Sequence, residues 1–202
     1  MIGEFKMNYI DHSPSILKET ANGIVAVNLI DDMFEQRQIN LVSQIDADVV
    51  NSTINQMRYL ARINPDAAIT LYINSPGGSV SDGLALYDVM KSLPCPVNTV
   101  CMGMAASMAS LLFVAGAHRE MLPHSRLMVH DPLISGGLGG SALSIKAVSD
   151  DLMRTREIAA TILSENTGLS MEEVYQLTSK DTYLEAEEAI EHGFADAIVT
   201  SI

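Results

Sequence analysis

Ile69-Thr70-Leu71-Tyr72-Ile73-Asn74-Ser75-Pro76-Gly77-Gly78-Ser79 is an apolar run that stops at a glycine turn. Val97 to Met102 followed by Gly103-Met104-Ala105-Ala106-Ser107-Met108 repeats the arrangement. Short apolar runs bounded by turn residues read as buried strands. The first turn opens a segment with Leu84, Leu86, Val89 and Met90 at helical spacing, and the second opens a small-residue helix from Met108 to Ala117. Strand, turn, helix, strand, turn, helix predicts an α/β fold with a parallel sheet and right-handed crossovers. Such sheets carry their functional groups at the C-terminal ends of the strands. Glycines at the first turn bare backbone N–H groups, and the second turn sets the Ser107 hydroxyl at a helix start, where negative charge is favoured.

The same reading extends outward along the chain. Ile24 to Ile30 and Arg37 to Ile45 read as strands. Asp48 is expected to cap a helix carrying Val50, Ile54, Met57 and Ala61 on one face and ending before Pro65. Arg126 to Val129 is a short strand that ends at His130-Asp131-Pro132, and Gly136 to Gly140 is a flexible turn. The longest helix runs from about Leu143 to Glu165, with Ile145, Val148, Leu152, Ala159 and Ile162 along one side, and Asn166 to Gly168 stops it. Ser170-Met171-Glu172-Glu173 is a capping box, and Gly193 ends a last helix from Glu185 to His192. With no repeat or linker, residues 23–202 read as one domain behind a polar, mobile arm over residues 1–22. Met1 to Lys6 reads as an expression scar ahead of a natural start at Met7.

Composition removes several function classes. Twelve basic against 25 acidic side chains leave a net charge of −13, which argues against nucleic acid or an anionic membrane as partner. Cys95 and Cys101 lack CxxC spacing, so neither a disulfide framework nor a metal site is expected, and a reducing, cytoplasmic setting fits. The apolar run from Ala105 to Ala117 is too short to span a bilayer, and no secretory signal is visible. A hydrophobic content of 48% without tryptophan leaves room for subunit interfaces.

Chemistry narrows to a few side chains. A serine hydroxyl needs a base to become a nucleophile, and acyl transfer needs donors for the oxyanion. Ser107 is the best placed serine, against the plainer reading that it caps its helix; its surroundings do not match the G-x-S-x-G elbow. Of the histidines, His12 lies in the arm, His118 and His124 lie among charges, and His192 sits at a helix C-terminus. Only His130 ends an apolar strand. Asp131, Asp181 and Asp82 all remain open as the carboxylate that would orient it.

Four blocks in order carry a resemblance: Tyr72-Ile73-Asn74-Ser75-Pro76-Gly77-Gly78, Gly103 to Met108, Leu127-Met128-Val129-His130-Asp131-Pro132-Leu133, and Ala186-Glu187-Glu188-Ala189 with Gly193. From about Thr20 to its C-terminus the chain resembles the ClpP family, the self-compartmentalising serine peptidase subunits of Clp proteases. The resemblance implies a ClpP/crotonase-type fold of repeated ββα units, with a head and a protruding handle of strand plus long helix over about residues 133–166. It implies Ser107 as nucleophile, His130 as base and Asp181 as orienting acid, with the N–H groups of Gly78 and Met108 as the oxyanion hole and no metal or cofactor. It further implies two stacked heptameric rings that degrade unfolded polypeptides. An AAA+ unfoldase of the ClpX, ClpA or ClpC type would feed them, docking in a pocket that includes Tyr72, Ser92, Val100 and Met102.

Several positions depart from the family pattern. Thr178-Ser179-Lys180 stands where the family commonly has an acid and an arginine that pair between rings, and lysine cannot copy a bidentate fork. Asp131 and Ile134-Ser135 replace the usual glutamine and glycine after the histidine, and Thr70 and Ser92 replace aromatic residues of the docking pocket. These departures suit a divergent paralogue that works with a second chain of the family. Three rival readings are a catalytically silent subunit of a mixed ring, a crotonase-type acyl-CoA enzyme, and a relative of the signal-peptide peptidases. The last uses a Ser-Lys dyad and usually a membrane anchor, neither of which is apparent.

Overall fold

A computed structural model describes residues 14–21, 23–134 and 139–202, which cluster into two compact units, Met1–Gln38 and Ile39–Ile202. In the first unit β1 (Ser15–Thr20) pairs antiparallel with β2 (Gly23–Asn28), residue for residue from Ser15 opposite Asn28 to Thr20 opposite Gly23. Gly23 turns the chain at φ +112°, a conformation that L side chains rarely adopt. Asn28 then caps α1 (Leu29–Glu35) by accepting from the Ile30 N–H at 2.8 Å. Lys18 binds Asp32 and Glu35, and these carboxylates, Asp32 foremost, raise the pKa of its ammonium group. Residues 15–20, expected in a mobile arm, are thus a paired strand, and the strand expected over 24–30 ends where Asn28 caps. The reading of Met1 to Lys6 falls outside the described residues.

The second unit runs through β3 (Gln38–Leu41), α2 (Ala47–Ile63), β4 (Ile69–Ser75), α3 (Val80–Ser92), β5 (Val97–Ala106), α4 (Met108–Val114), β6 (Arg119–Met121) and β7 (Arg126–Val129). It continues with α5 (Ala142–Thr167), α6 (Met171–Thr178), β8 (Thr182–Glu185), α7 (Ala186–Glu191) and β9 (Ala197–Ile198). The strand order is β3-β4-β5-β6-β9, with β7 beside β5 and β8 beside β7. In this sheet the β4–β5, β5–β6, β5–β7 and β6–β9 pairings are parallel, and β7–β8 is antiparallel. The α/β fold with a parallel sheet holds.

β5 is where the sheet branches. Thr99–Cys101 pairs with β6, whereas Met104–Ala106 pairs with β7. Between them the register against β4 slips from Ile73 opposite Cys101 to Ser75 opposite Ala105. Gly103, at φ +96°, absorbs the slip, and the Asn74 Oδ1 that accepts from the Met104 N–H at 3.3 Å stands 2.9 Å from where a Cβ would sit. The strand expected to stop at Met102 therefore continues, re-aimed, to Ala106.

The helices follow the sequence with two corrections. Asp46, not Asp48, caps α2, because Asp46 holds the extended φ/ψ a cap needs and accepts from the Val49 N–H at 2.9 Å; Asp48 lies in the first turn. α4 is buried at every residue, its one polar side chain, Ser110, donating to the Ser107 carbonyl at 2.7 Å. α5 is exposed throughout residues 142–151, and of the face expected to carry its packing only Ile162 is buried. Leu133, Ile134, Gly139 and Gly140 belong to no strand, and the remaining positions of the expected handle strand, 135–138, lie outside the described residues, as does most of the Gly136 to Gly140 turn. Among the described residues no helix is long and apolar enough to cross a membrane.

Arg119 ties the C-terminal elements together. Its guanidinium donates to Asp196 through Nε at 3.1 Å and Nη2 at 2.5 Å, and through Nη1 to the carbonyls of Asn166 and Gly193 at 2.8 and 2.9 Å. These hydrogen bonds hold the Asp196 carboxyl below the usual carboxylate range. A lowered acid pKa stabilises the fold above the unfolded value of about 3.9 and loses that contribution as pH falls through the lower folded value. Asp196→Asn should therefore cost about 1 kcal/mol at pH 7 after solvent screening. Thermal denaturation across pH should show the gap to wild type narrowing in acid, whereas a gap that widens below pH 4 would contradict it.

Candidate active site

The site forms where β4, β5 and β7 end. At the end of β4 the Ser75 hydroxyl donates to the Ser43 carbonyl at 2.6 Å and accepts from the Gly77 N–H at 3.1 Å. The Ile45 N–H donates to the Gly77 carbonyl at 2.9 Å, and the Ser79 N–H donates to the Ile45 carbonyl at 2.8 Å. The glycine turn is thereby pinned to the segment ahead of α2. Gly77, at φ +87°, leaves no room for a side chain: a Cβ would lie 2.5 Å from the Ala106 carbonyl oxygen, 2.8 Å from Ser107 Cβ and 3.0 Å from the Met108 nitrogen. A Cβ on Gly78 would strike the Ile45 backbone. These two glycines let one strand end lie directly against the other.

Ser107 occupies the junction of β5 and α4 at φ +53° and ψ −123°, a conformation that costs a non-glycine residue about 1–3 kcal/mol. Its N–H donates to the Met128 carbonyl of β7 at 2.8 Å, and its carbonyl accepts from the Ser110 N–H at 3.0 Å. The side chain makes no cap hydrogen bond. Instead Oγ lies 2.8 Å from His130 Nε2. A strained strand-to-helix turn that presents a serine is the geometry of a nucleophile elbow, here without the glycine spacing that usually announces it.

His130 follows β7, with its side chain 13% exposed. The other described histidines are elsewhere: His118 faces Glu120 and Asp196 at 3.2 and 3.6 Å, and His124 and His192 are exposed. His12 lies outside the described residues. Of the three carboxylates left open, Asp181 approaches His130 Nδ1 to 4.0 Å with its side chain 65% exposed, beyond hydrogen-bond length. Asp131 turns away to Arg156 and Thr178, and Asp82 sits in the first turn of α3. Catalytic hydrogen bonds are often long until substrate binds.

The Met108 nitrogen lies 3.0 Å from where a Cβ on Gly77 would sit, and no hydrogen bond among the described residues engages the N–H of Gly78 or of Met108. Met108 is fully buried, and its side chain fills the space that Gly83 of α3 leaves empty. A small cleft of about 30 Å³ opens beside Ser107 and His130, with apolar walls that include Leu111, Pro132, Ala160 and Leu163. A serine against an imidazole, with free N–H donors and an apolar cleft beside them, can carry out acyl transfer.

The remaining expected residues fall as follows. Tyr72 and Val100 are buried neighbours across β4 and β5, and Met102 is half-buried two residues along the same face. Burial, followed by the nearby Glu120 charge, raises the Tyr72 pKa. Ser92 ends α3, exposed, its hydroxyl donating to the Val89 carbonyl at 2.9 Å. Cys95 and Cys101 are free and buried, and burial pushes the Cys101 thiol up to about 11, which leaves it inert as a nucleophile. Among the described residues no group of three or more His, Cys, Asp or Glu side chains is placed to hold a metal. Sequence reasoning missed the supports Asn74 and Ser75, which directly precede the glycine turn, and the partners of Asp131.

A family model described as Clp protease matches residues 21–202, nearly all of the described chain.

Gly77→Ala should disorganise the site without touching a reacting side chain. The added methyl meets backbone rather than a flexible side-chain tip, at a φ that favours glycine by about 1 kcal/mol. The variant should lose thermal stability and the reactivity of Ser107 toward a fluorophosphonate together. Wild-type labelling at wild-type stability would mean that the two strand ends do not need this contact.

Proposed function

The chain belongs to the Clp protease family, and from that premise we propose that it is a serine endopeptidase subunit that hydrolyses unfolded polypeptides inside a ring-shaped compartment. The observation that carries the reading is the 2.8 Å contact between His130 Nε2 and the Oγ of a serine held at φ +53°. As Oγ attacks the peptide carbonyl carbon, its proton passes to Nε2. The carbonyl oxygen becomes an oxyanion held by the N–H groups of Gly78 and Met108. Collapse breaks the C–N bond, and the imidazolium returns the proton to the departing amine. Water, deprotonated by His130, then attacks the acyl-enzyme, releasing the acid and restoring Ser107. Asp181 orients Nδ1–H and balances the imidazolium once substrate draws it closer than 4.0 Å.

Membership of the family supports an oligomeric assembly. Leu143, Met153 and Ile158 of α5 are 81%, 57% and 48% exposed, an apolar surface that supports contact between two stacked heptamers through the handle. Lys180 is exposed and Asp181 is its neighbour, so ring pairing relies on apolar packing more than on an arginine fork. An AAA+ unfoldase would dock over Tyr72, Val100 and Met102, and the cytoplasm is the expected compartment. The 4.0 Å gap to Asp181 also favours a second reading, a subunit whose triad stays open in a mixed ring with a paralogue. A crotonase-type acyl-CoA enzyme has no use for the Ser107–His130 contact.

Hydrolysis of a fluorogenic peptide by purified protein separates these readings. Ser107→Ala and His130→Ala should abolish turnover while leaving the assembly intact. Asp181→Asn should fall short of the loss of about 10⁴-fold seen in a closed triad. Native mass spectrometry should show a tetradecamer in exchange with heptamers. Activity that survives Ser107→Ala would sink the serine-peptidase reading, and monomers or dimers at every concentration would sink the compartment.

A further inference from the structure

We propose that Asp131 is a positioning residue that sets the separation between His130 and Asp181. The inference rests on the serine-peptidase reading above. Asp131 directly follows His130, and its N–H donates to the Thr178 carbonyl at 2.8 Å. The Thr178 hydroxyl donates back to Asp131 Oδ1 at 2.7 Å, which closes a two-bond clip between the segment after β7 and the last residue of α6. On the other side of the histidine, Val129 pairs with Thr182 in the β7–β8 ladder. His130 is thus flanked by Val129 and Asp131, and Asp181 lies between Thr178 and Thr182, with both flanks tied.

The short loop has little slack. The Thr182 hydroxyl donates to the Leu177 carbonyl at 2.6 Å and folds the loop back onto α6, while the Ser179 hydroxyl donates to the Gln176 carbonyl at 2.8 Å. The other oxygen of Asp131 accepts from Arg156 Nε of α5 at 2.6 Å, and the same guanidinium stacks over the Tyr175 ring of α6, 4.0 Å from its centroid. A carboxylate is the side chain this place requires, because both oxygens accept; an amide of the same shape has one acceptor and would satisfy Thr178 or Arg156 but not both. With both oxygens engaged away from the imidazole, Asp131 acts through the loop it holds and not on the proton. Thr178 is buried, so a hydroxyl left without Asp131 would bear a desolvation cost.

Steady-state hydrolysis of a fluorogenic peptide by the full chain tests the clip. Thr178→Val keeps shape and charge but removes the donor, and it should lower kcat by between about ten- and a hundred-fold, the scale on which misplacement of a catalytic group is felt. KM should stay within about twofold, because no substrate contact is removed. Thr178→Ser, which keeps the donor, should restore kcat to within about twofold of wild type. Asp131→Ala, which removes both acceptors, should lower kcat at least as much, and the double variant should be no worse than Asp131→Ala alone, since both cut the same connection. An unchanged kcat in Thr178→Val, a Thr178→Ser variant as impaired as valine, or additive losses in the double variant would each overturn the proposal. Ser107→Ala in the same assay decides the underlying reading separately: turnover that persists there removes the serine mechanism, whereas its loss beside an unaffected Thr178→Val removes only the clip.

Discussion

The Ala106 carbonyl oxygen stands 2.5 Å from the place where a Cβ on residue 77 would sit, and the site depends on that position being empty. Because Gly77 has no side chain, the turn after β4 can lie flat against the junction of β5 and α4. This approach brings the turn against the junction that carries Ser107 and the Met108 N–H. The turn cannot drift, because Ile45 and Ser75 hold it through hydrogen bonds of 2.9 and 3.1 Å to Gly77. In the proposed mechanism the Gly78 and Met108 N–H groups receive the oxyanion, and such donors act best when fixed before the reaction begins.

Strain and looseness are distributed unevenly around the site. Ser107 is held at φ +53° by a backbone bond to β7 at one side and by the first turn of a fully buried helix at the other, so the surrounding structure maintains a conformation the residue would not adopt alone. His130 is largely buried, with Nε2 2.8 Å from Ser107 Oγ. Asp181 is not: it is largely exposed and 4.0 Å away, and its position is inherited from the ends of a short loop. Ser107 and His130 are therefore positioned by the ends of β5 and β7, whereas the place of Asp181 depends on where α6 and its neighbours sit. Arg156 links that region to α5, so a shift of the long helix has a direct route to the histidine–aspartate pair.

Much of this was legible in the residues. Apolar runs ending in glycine turns at Gly77 and Gly103 announced the parallel sheet, and His130 stood out because it alone ended an apolar strand. The continuation of β5 past Met102 was not legible, because the slip depends on Asn74 reaching across from another strand to hold Gly103. The cap of α2 was misplaced by two residues, since Asp46 and Asp48 are both capping types and only the backbone at Asp46 is extended. The apolar face of α5 promised a packed helix, yet residues 142–151 are exposed in the isolated chain, a pattern that periodicity cannot separate from burial against another subunit. The partners of Asp131 come from residues 25 and 47 positions away, which no local pattern reports. Asp181 emerged from the resemblance, and no spacing in the chain distinguishes it from Asp82 or Asp131.

The central claim is that Ser107, activated by His130, attacks a carbonyl whose oxygen is received by the Gly78 and Met108 N–H groups. A crystal structure of the protein treated with a peptide boronate tests it most directly, because the tetrahedral boron adopts the shape of the intermediate. The expected result is a covalent bond to Ser107 Oγ, with one boronate oxygen about 2.7–3.1 Å from both N–H groups. A boron bonded elsewhere, or bonded to Ser107 with that oxygen turned away from Gly78 and Met108, would contradict the account.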